Sequence, residues 1–193
     1  MKEINTLIRQ RRSVFQADYT GEKVDDDVIN QMLENANWAP THKLTEPWRF
    51  VVFTGEGLQA LAEIQSEYYK KYTTADGSFK EARYQNLLTK PLLSSHIIAI
   101  FMKRDAGASI PEIEEAGAVF CAIQNMYLTA TAYGVGCYLS TGGITYFDGA
   151  PELFGFSGND KLIGFLHVGI PKAPPRDSKR IPVAQKTRWV DRR

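Results

Sequence analysis

The sequence has 193 residues, with 23 Lys plus Arg against 22 Asp plus Glu and a formal net charge of +1. A chain of that size suffices for one domain that buries about 70% of its unfolded surface without disulfide staples. The near balance of charge argues against a nucleic-acid or membrane-surface protein, which would carry a basic excess or patch, and leaves a small molecule as the expected partner.

Cys121 and Cys137 lie in apolar surroundings without Cys-x-x-Cys or metal-ligand spacing, and read as reduced core thiols of a cytosolic protein. Met1 runs directly into an amphipathic segment with no apolar signal core. The longest apolar run, 116–132, is broken by Gln124 and Asn125 and falls short of the ~20 residues of a membrane span. A single cytoplasmic domain over residues 1–193 is expected.

In chain order, Ile4, Leu7 and Ile8 predict a first helix over 3–12 with one buried face. Arg11 continues that stripe. It either aims inward toward an anion or lies at the surface, complementing the helix C-terminal dipole. Asp25 is the expected N-cap of a second helix, with Val24 and Ile29 as a hydrophobic staple and Val28, Met32, Leu33 and Ala36 on the buried face. The next stretch, Asn37 to Phe53, leaves this helix through a loop bounded by Pro40 and Pro47 and enters a strand over 49–54. The two prolines stiffen a connection that crowds donors between them: Thr41, His42, Lys43 and Thr45.

A helix from Leu58 to about Tyr72 follows, then one over 79–89 ended by Pro91, then a β-branched strand over 97–102. The segment 114–133 is small or apolar on nearly every face and marks the core helix. A short strand, 136–140, leads into Thr141-Gly142-Gly143, where glycine permits close backbone approach to a ligand. A turn or short helix at 153–156 precedes a long strand over 162–170. Beyond Pro171 the chain is basic and proline-punctuated through Pro174-Pro175 to Arg193, hence extended, with Ile181, Val183, Trp189 and Val190 suited to crossing onto a neighbouring chain. This order of elements implies an α+β domain.

The three histidines, His42, His96 and His167, show no metal or hydrolase spacing, and His167 reads as a satisfied core residue within a strand. Gly-x-Ser-x-Gly, P-loop and dinucleotide signatures are absent. What remains is a set of cations and donors at loop ends, Arg11, Arg12, Ser13, Thr41, His42, Lys179 and Arg180, which suits a bound anionic cofactor.

The run Ala39-Pro40-Thr41-His42-Lys43-Leu44-Thr45-Glu46-Pro47-Trp48 resembles the Ala-Pro-Ser-Ser-x-Asn-x-Gln-Pro-Trp loop of the FMN-dependent nitroreductases, in a branch with His in the second serine position. Arg11-Arg12-Ser13, Gly134-Val135-Gly136 and Phe165 to Pro171 extend the resemblance over nearly the whole chain. It implies a mixed, mainly antiparallel sheet flanked by helices, with the C-terminal tail reaching onto the partner of a homodimer. It also implies bound FMN, NADH or NADPH as co-substrate, and ping-pong hydride transfer through flavin N5 to a nitroaromatic or quinone. The chemistry then belongs to the cofactor, and no side chain is catalytic.

Carried over residue by residue, Arg11, Arg12 and Ser13 contact the FMN phosphate, ribityl chain and pyrimidine edge, and Arg180 with Lys179 closes on the phosphate. Thr41, His42 and Leu44 reach the flavin from the other subunit, with Trp38 either covering the pocket or packing at the interface. Tyr138, Leu139 and Ser140, leading into Thr141 and Gly142, line one flavin face and bring a backbone N–H to N5. The chain departs from the family pattern at Phe15 and Gln16, where a Lys or Arg is common, at Leu44 for Asn and at Glu46 for Gln. These departures remove charge and hydrogen bonds from the flavin's polar edge. Phe15, Leu44 and Glu46 keep open a flavin-binding or redox-responsive protein without turnover, and because the same fold hosts other flavin chemistry, the enzyme alternative is a dehalogenase or desaturase whose lid, 68–90 or 103–115, selects the substrate.

Overall fold

A computed structural model describes residues 2–174 and 177–192; Pro175 of the Pro-Pro pair and the terminal Arg193 lie outside them. The helices are α1 (Lys2–Gln10), α2 (Asp26–Asn37), α3 (Glu56–Ala75), α4 (Glu81–Thr89) and α5 (Glu112–Ala132), and the strands are β1 (Trp48–Thr54), β2 (His96–Met102), β3 (Gly136–Ser140) and β4 (Lys161–Gly169). The strands form one antiparallel sheet in the order β1-β2-β4-β3. The parallel component of the expected sheet is a single bridge, Ser13 to Cys137.

β2 is buried at every position, which is why its sequence is a continuous apolar run and not an alternating one. Its pleat divides those residues between two cores. Ile98, Ile100 and Met102 pack with Met32 of α2 and Val119, Ala122 and Met126 of α5. Ile97, Ala99 and Phe101 pack with Leu58, Leu61 and Tyr69 of α3 and Phe165 of β4. The sheet is therefore sandwiched, with α2 and α5 on one face and α3 on the other.

Local chemistry sets the boundaries. Asp25 caps α2 by accepting from the Asp27 N–H at 2.9 Å. After α5, Gly134 takes φ +70° and the Val135 N–H closes on the Ala130 carbonyl at 2.8 Å, turning the chain directly into β3. Gly164 in β4 faces β3 so closely that an added Cβ would stand 2.7 Å from the Ser140 carbonyl oxygen, beside the register shift between Ile100 and Phe101.

Several expectations need correction. Ile4 and Ile8 of α1 are about half exposed, so the predicted buried face has no cover within this chain. Cys137 is a core thiol, but Cys121 is exposed, because the outer side of α5 is not packed. α4 does end at Thr89 as expected, and Pro91 beyond it sits within a 3-10 turn, Lys90–Leu93, that carries the chain onward. The 79–89 helix begins at Glu81, Phe79 instead packing on Tyr69 and Tyr84. The tail is extended and exposed, with one 3-10 turn at Val183–Lys186.

Candidate functional site

The Arg-Arg-Ser segment leaves α1 and is stitched to the start of β3. The Val14 N–H donates to the Cys137 carbonyl at 2.9 Å, and the Phe15 ring lies 4.5 Å from that of Tyr138, centroid to centroid. A Cβ on Gly136 would fall 2.9 Å from Val14 Cβ, so that glycine permits the approach. Behind this junction stands Tyr127 of α5, a residue the sequence gave no reason to single out. Its Oη accepts the Leu139 N–H at 2.7 Å, and the Arg11 guanidinium carbon lies 5.2 Å over its ring. Burial raises the Tyr127 pKa, which keeps the phenol neutral.

Tyr19 secures the same junction from below. Its Oη lies 2.9 Å from the Val14 carbonyl and 3.1 Å from that of His167, and the ring occupies the space an added Cβ on Gly169 would need, at 2.4 Å. Burial pushes the Tyr19 phenol and the Cys137 thiol well up, so neither ionises. His167 is the satisfied core histidine expected: Ser94 Oγ is 3.0 Å from its Nδ1, and burial lowers its pKa to about 4.

Arg11, Arg12, Ser13, Tyr138 and Leu139 are thus brought onto one rim. Arg11 is half-buried, and neither it nor the exposed Lys179 and Arg180 forms an ion pair with a carboxylate among the described residues. Arg12 turns toward a cavity of about 580 Å³ lined also by Arg9, Gly136, Pro174 and Asp177, where the root of the tail passes α1. Arg180 hydrogen-bonds Ser178 and the Lys179 carbonyl. Ser140 and Thr141 lead to Gly142 at the far end of β3, and a cavity of about 550 Å³ opens beyond Thr141 between Phe120, Tyr146 and Lys161.

Thr41, His42 and Leu44 do not join this rim. His42 pairs with Glu114 in the first turn of α5, whereas Ser13 and Arg11 lie against Tyr127, thirteen residues along the same helix. At 1.5 Å per residue those points are about 20 Å apart. The loop also holds three non-glycine residues at positive φ, Lys43 (51°), Leu44 (54°) and Glu46 (44°). Such backbone costs on the order of 1 kcal/mol per residue. Thr41 Oγ1 offsets part of it by accepting the Glu46 N–H at 3.2 Å. Leu44 and Trp38 project into solvent, being 81% and 78% exposed.

Of the two expected lid segments, 68–90 and 103–115, the second is held fast. Arg104 forms an ion pair with the fully buried Glu115 carboxylate, which also accepts the Asp105 N–H at 2.8 Å, while Asp160 accepts the Arg104 N–H at 2.9 Å.

This arrangement matches a known family. The model of the Nitroreductase family aligns with residues 8–170. The chain belongs to the nitroreductase family. Among its relatives, a Bacillus subtilis protein provisionally named NAD(P)H nitroreductase YfhC is 28% identical over 181 residues, 93% of this chain and 90% of that one. The crystal structure of a nitroreductase-like family protein from Bacillus cereus superposes with a TM-score of 0.84 at 28% identity, covering 97% of this chain and 96% of the other. A crystal structure of the FMN-dependent nitroreductase NfnB from Mycobacterium smegmatis in complex with NADPH has a TM-score of 0.74 at 18% identity, covering 98% of both chains, and so shares the fold. No described helix of this nitroreductase-family chain is long and apolar enough to cross a membrane.

Proposed function

We propose that the chain is an FMN-dependent NAD(P)H oxidoreductase that reduces nitroaromatics or quinones, working as a homodimer in the cytoplasm. Family membership supports the class of reaction. The observation that carries the site is the Arg11–Ser13 rim against β3, where a guanidinium rests on an aromatic face with no carboxylate among the described residues to neutralise it. That donor set fits a phosphate and a flavin's polar edge.

Arg11, Arg12, Ser13, Lys179 and Arg180 would hold the phosphate and ribityl end, and Tyr138, Leu139 and Ser140 would line one flavin face. The Gly142 backbone would meet the N5 edge. When bound, FMN supplies the hydride chemistry, taking two electrons from NAD(P)H and passing them to the acceptor. The chain's own share is orientation. Tyr127 fixes the β3 backbone by a hydrogen bond, and Tyr19 fixes the Val14 carbonyl, so the rim is set before any ligand arrives.

The separation of about 20 Å along α5 supports a site completed by a second copy, whose Thr41, His42 and Leu44 would close over the flavin. Exposed apolar residues at both ends of this span, Ile8, Leu44 and Ile113 among them, suit such an interface. The tail carries Trp189 at 90% exposure and is suited to crossing onto the partner.

Mixed dimers test this reading. A chain carrying Arg11→Ala and another carrying Leu44→Asp would each bind FMN weakly alone. Mixed together, they would recover one FMN per dimer, because one of the two sites then has both of its halves intact. No recovery in purified mixed dimers would place the whole site within a single chain and refute the shared arrangement.

A further inference from the structure

α4 carries a cation that neither the family resemblance nor the rim accounts for. Arg83 extends its guanidinium across the Gly142–Gly143 turn, where an added Cβ on Gly142 would stand 3.0 Å from Nη2 and one on Gly143 would stand 3.9 Å from it. Its base is fixed. The Tyr84 hydroxyl donates to Glu67 at 2.6 Å, the Lys80 N–H donates to Tyr69 Oη at 3.2 Å, and the Arg83 N–H donates to the Lys80 carbonyl at 2.9 Å, which together hold α4 on α3. Leu87, one turn on, leaves its Cδ2 3.5 Å from where a Gly143 Cβ would stand. Among the described residues no side chain or carbonyl hydrogen-bonds the Arg83 guanidinium, and no carboxylate pairs with it.

A guanidinium that crosses an open glycine turn without an anion presents its donors to whatever occupies the space beside that turn. A side chain added at Gly142 would have to displace Nη2. With Phe15 and Gln16 uncharged, the exposed Arg83 supplies a cation at this turn, with Lys161 lining the cavity beyond Thr141, while Arg11, Arg12 and Arg180 are assigned to the phosphate end. We propose that Arg83 selects the electron acceptor: it binds the carboxylate of a planar aromatic acid stacked on the flavin, so the preferred acceptors are anionic. The inference rests on the proposed flavin site. Bidentate pairing of guanidinium and carboxylate beside a ring-stacked ligand would fix the acceptor's orientation as well as its charge.

The test uses holoenzyme whose FMN content and reduction by NAD(P)H have first been established by absorbance, which checks the flavin site separately. Benzoate and benzamide, matched in shape and not reducible, are titrated calorimetrically into wild type, Arg83→Gln and Arg83→Lys. Wild type is expected to prefer benzoate at least tenfold, Arg83→Gln to lose that preference, and Arg83→Lys to keep part of it. The ratio of kcat/KM for 4-nitrobenzoate over 4-nitrobenzamide should fall in parallel. An absent preference in wild type, or one that survives in Arg83→Gln, overturns the proposal. So does an equal loss for charged and neutral ligands, which would assign Arg83 to the flavin. If the charge effect appears only in reduction by NADPH as against NADH, the anion is the nucleotide phosphate and the acceptor role is refuted. Wild type that binds no FMN removes the parent reading and this one with it.

Discussion

Replacing Tyr127 by Phe removes a single oxygen and tests whether the cofactor rim is tied together through it. In the native chain that oxygen accepts the Leu139 N–H at 2.7 Å, while the ring lies under Arg11. The ring and its cation contact survive in Phe. The Leu139 N–H is half-buried on a strand edge, and leaving it without an acceptor costs about 1–3 kcal/mol. We take about 2 kcal/mol as the expected loss in urea unfolding, equivalent to a fall in Tm of roughly 4–8 °C for a chain of this size. Because Leu139 sits on the β3 half of the rim, FMN affinity measured by fluorescence titration should weaken about tenfold, or roughly 1.4 kcal/mol. A stability change below about 0.5 kcal/mol with FMN affinity unchanged would refute the tie, since an unsatisfied strand N–H costs more than that.

Burial holds His167 at a pKa of about 4, below the ordinary 6.5, so the unfolded chain binds more protons between those values. Stability should rise with pH across this window, by up to about 3 kcal/mol, and His167→Gln should flatten that slope in unfolding measured from pH 4 to 7. His96, whose pKa is also lowered chiefly by burial, keeps a remainder of the slope. Glu115→Ala strands Arg104 and frees the Asp105 N–H, and should cost about 3–5 kcal/mol in denaturant unfolding, with faster proteolysis in the 103–111 segment. Leu44→Asn keeps the loop's left-handed backbone with a residue that tolerates it, and should raise the midpoint of thermal unfolding by about 0.5–1 kcal/mol equivalent.

How far the sequence could be read depended on whether each signal was local. β2 and the Asp25 cap were legible because a fully apolar strand and an Asp ahead of an apolar helical stripe each have one good physical solution. The α1 stripe misled, since periodicity reports that a face will be covered without saying by which chain; Ile4 and Ile8 are left open here. For Arg11 the spacing left an inward and a surface placement open; it is half-buried, its partner is the Tyr127 ring, and a tyrosine inside an apolar helix reads only as core. Arg83 was invisible because α4 has little periodicity and the Gly142 turn lies nearly sixty residues away. The loop motif named Thr41, His42 and Leu44, but the strain at Lys43, Leu44 and Glu46 and the loop's distance from Arg11 depend on backbone angles and the length of α5.

The central claim is tested most directly by the absorbance of the purified protein saturated with FMN and then exposed anaerobically to NADH or NADPH. Flavin bands that bleach with a nicotinamide nucleotide and return when a nitroaromatic or quinone is added are the predicted result. Bound flavin that neither nucleotide reduces would contradict the enzyme reading, and failure to bind FMN at all would contradict the assignment of the Arg11–Ser13 rim.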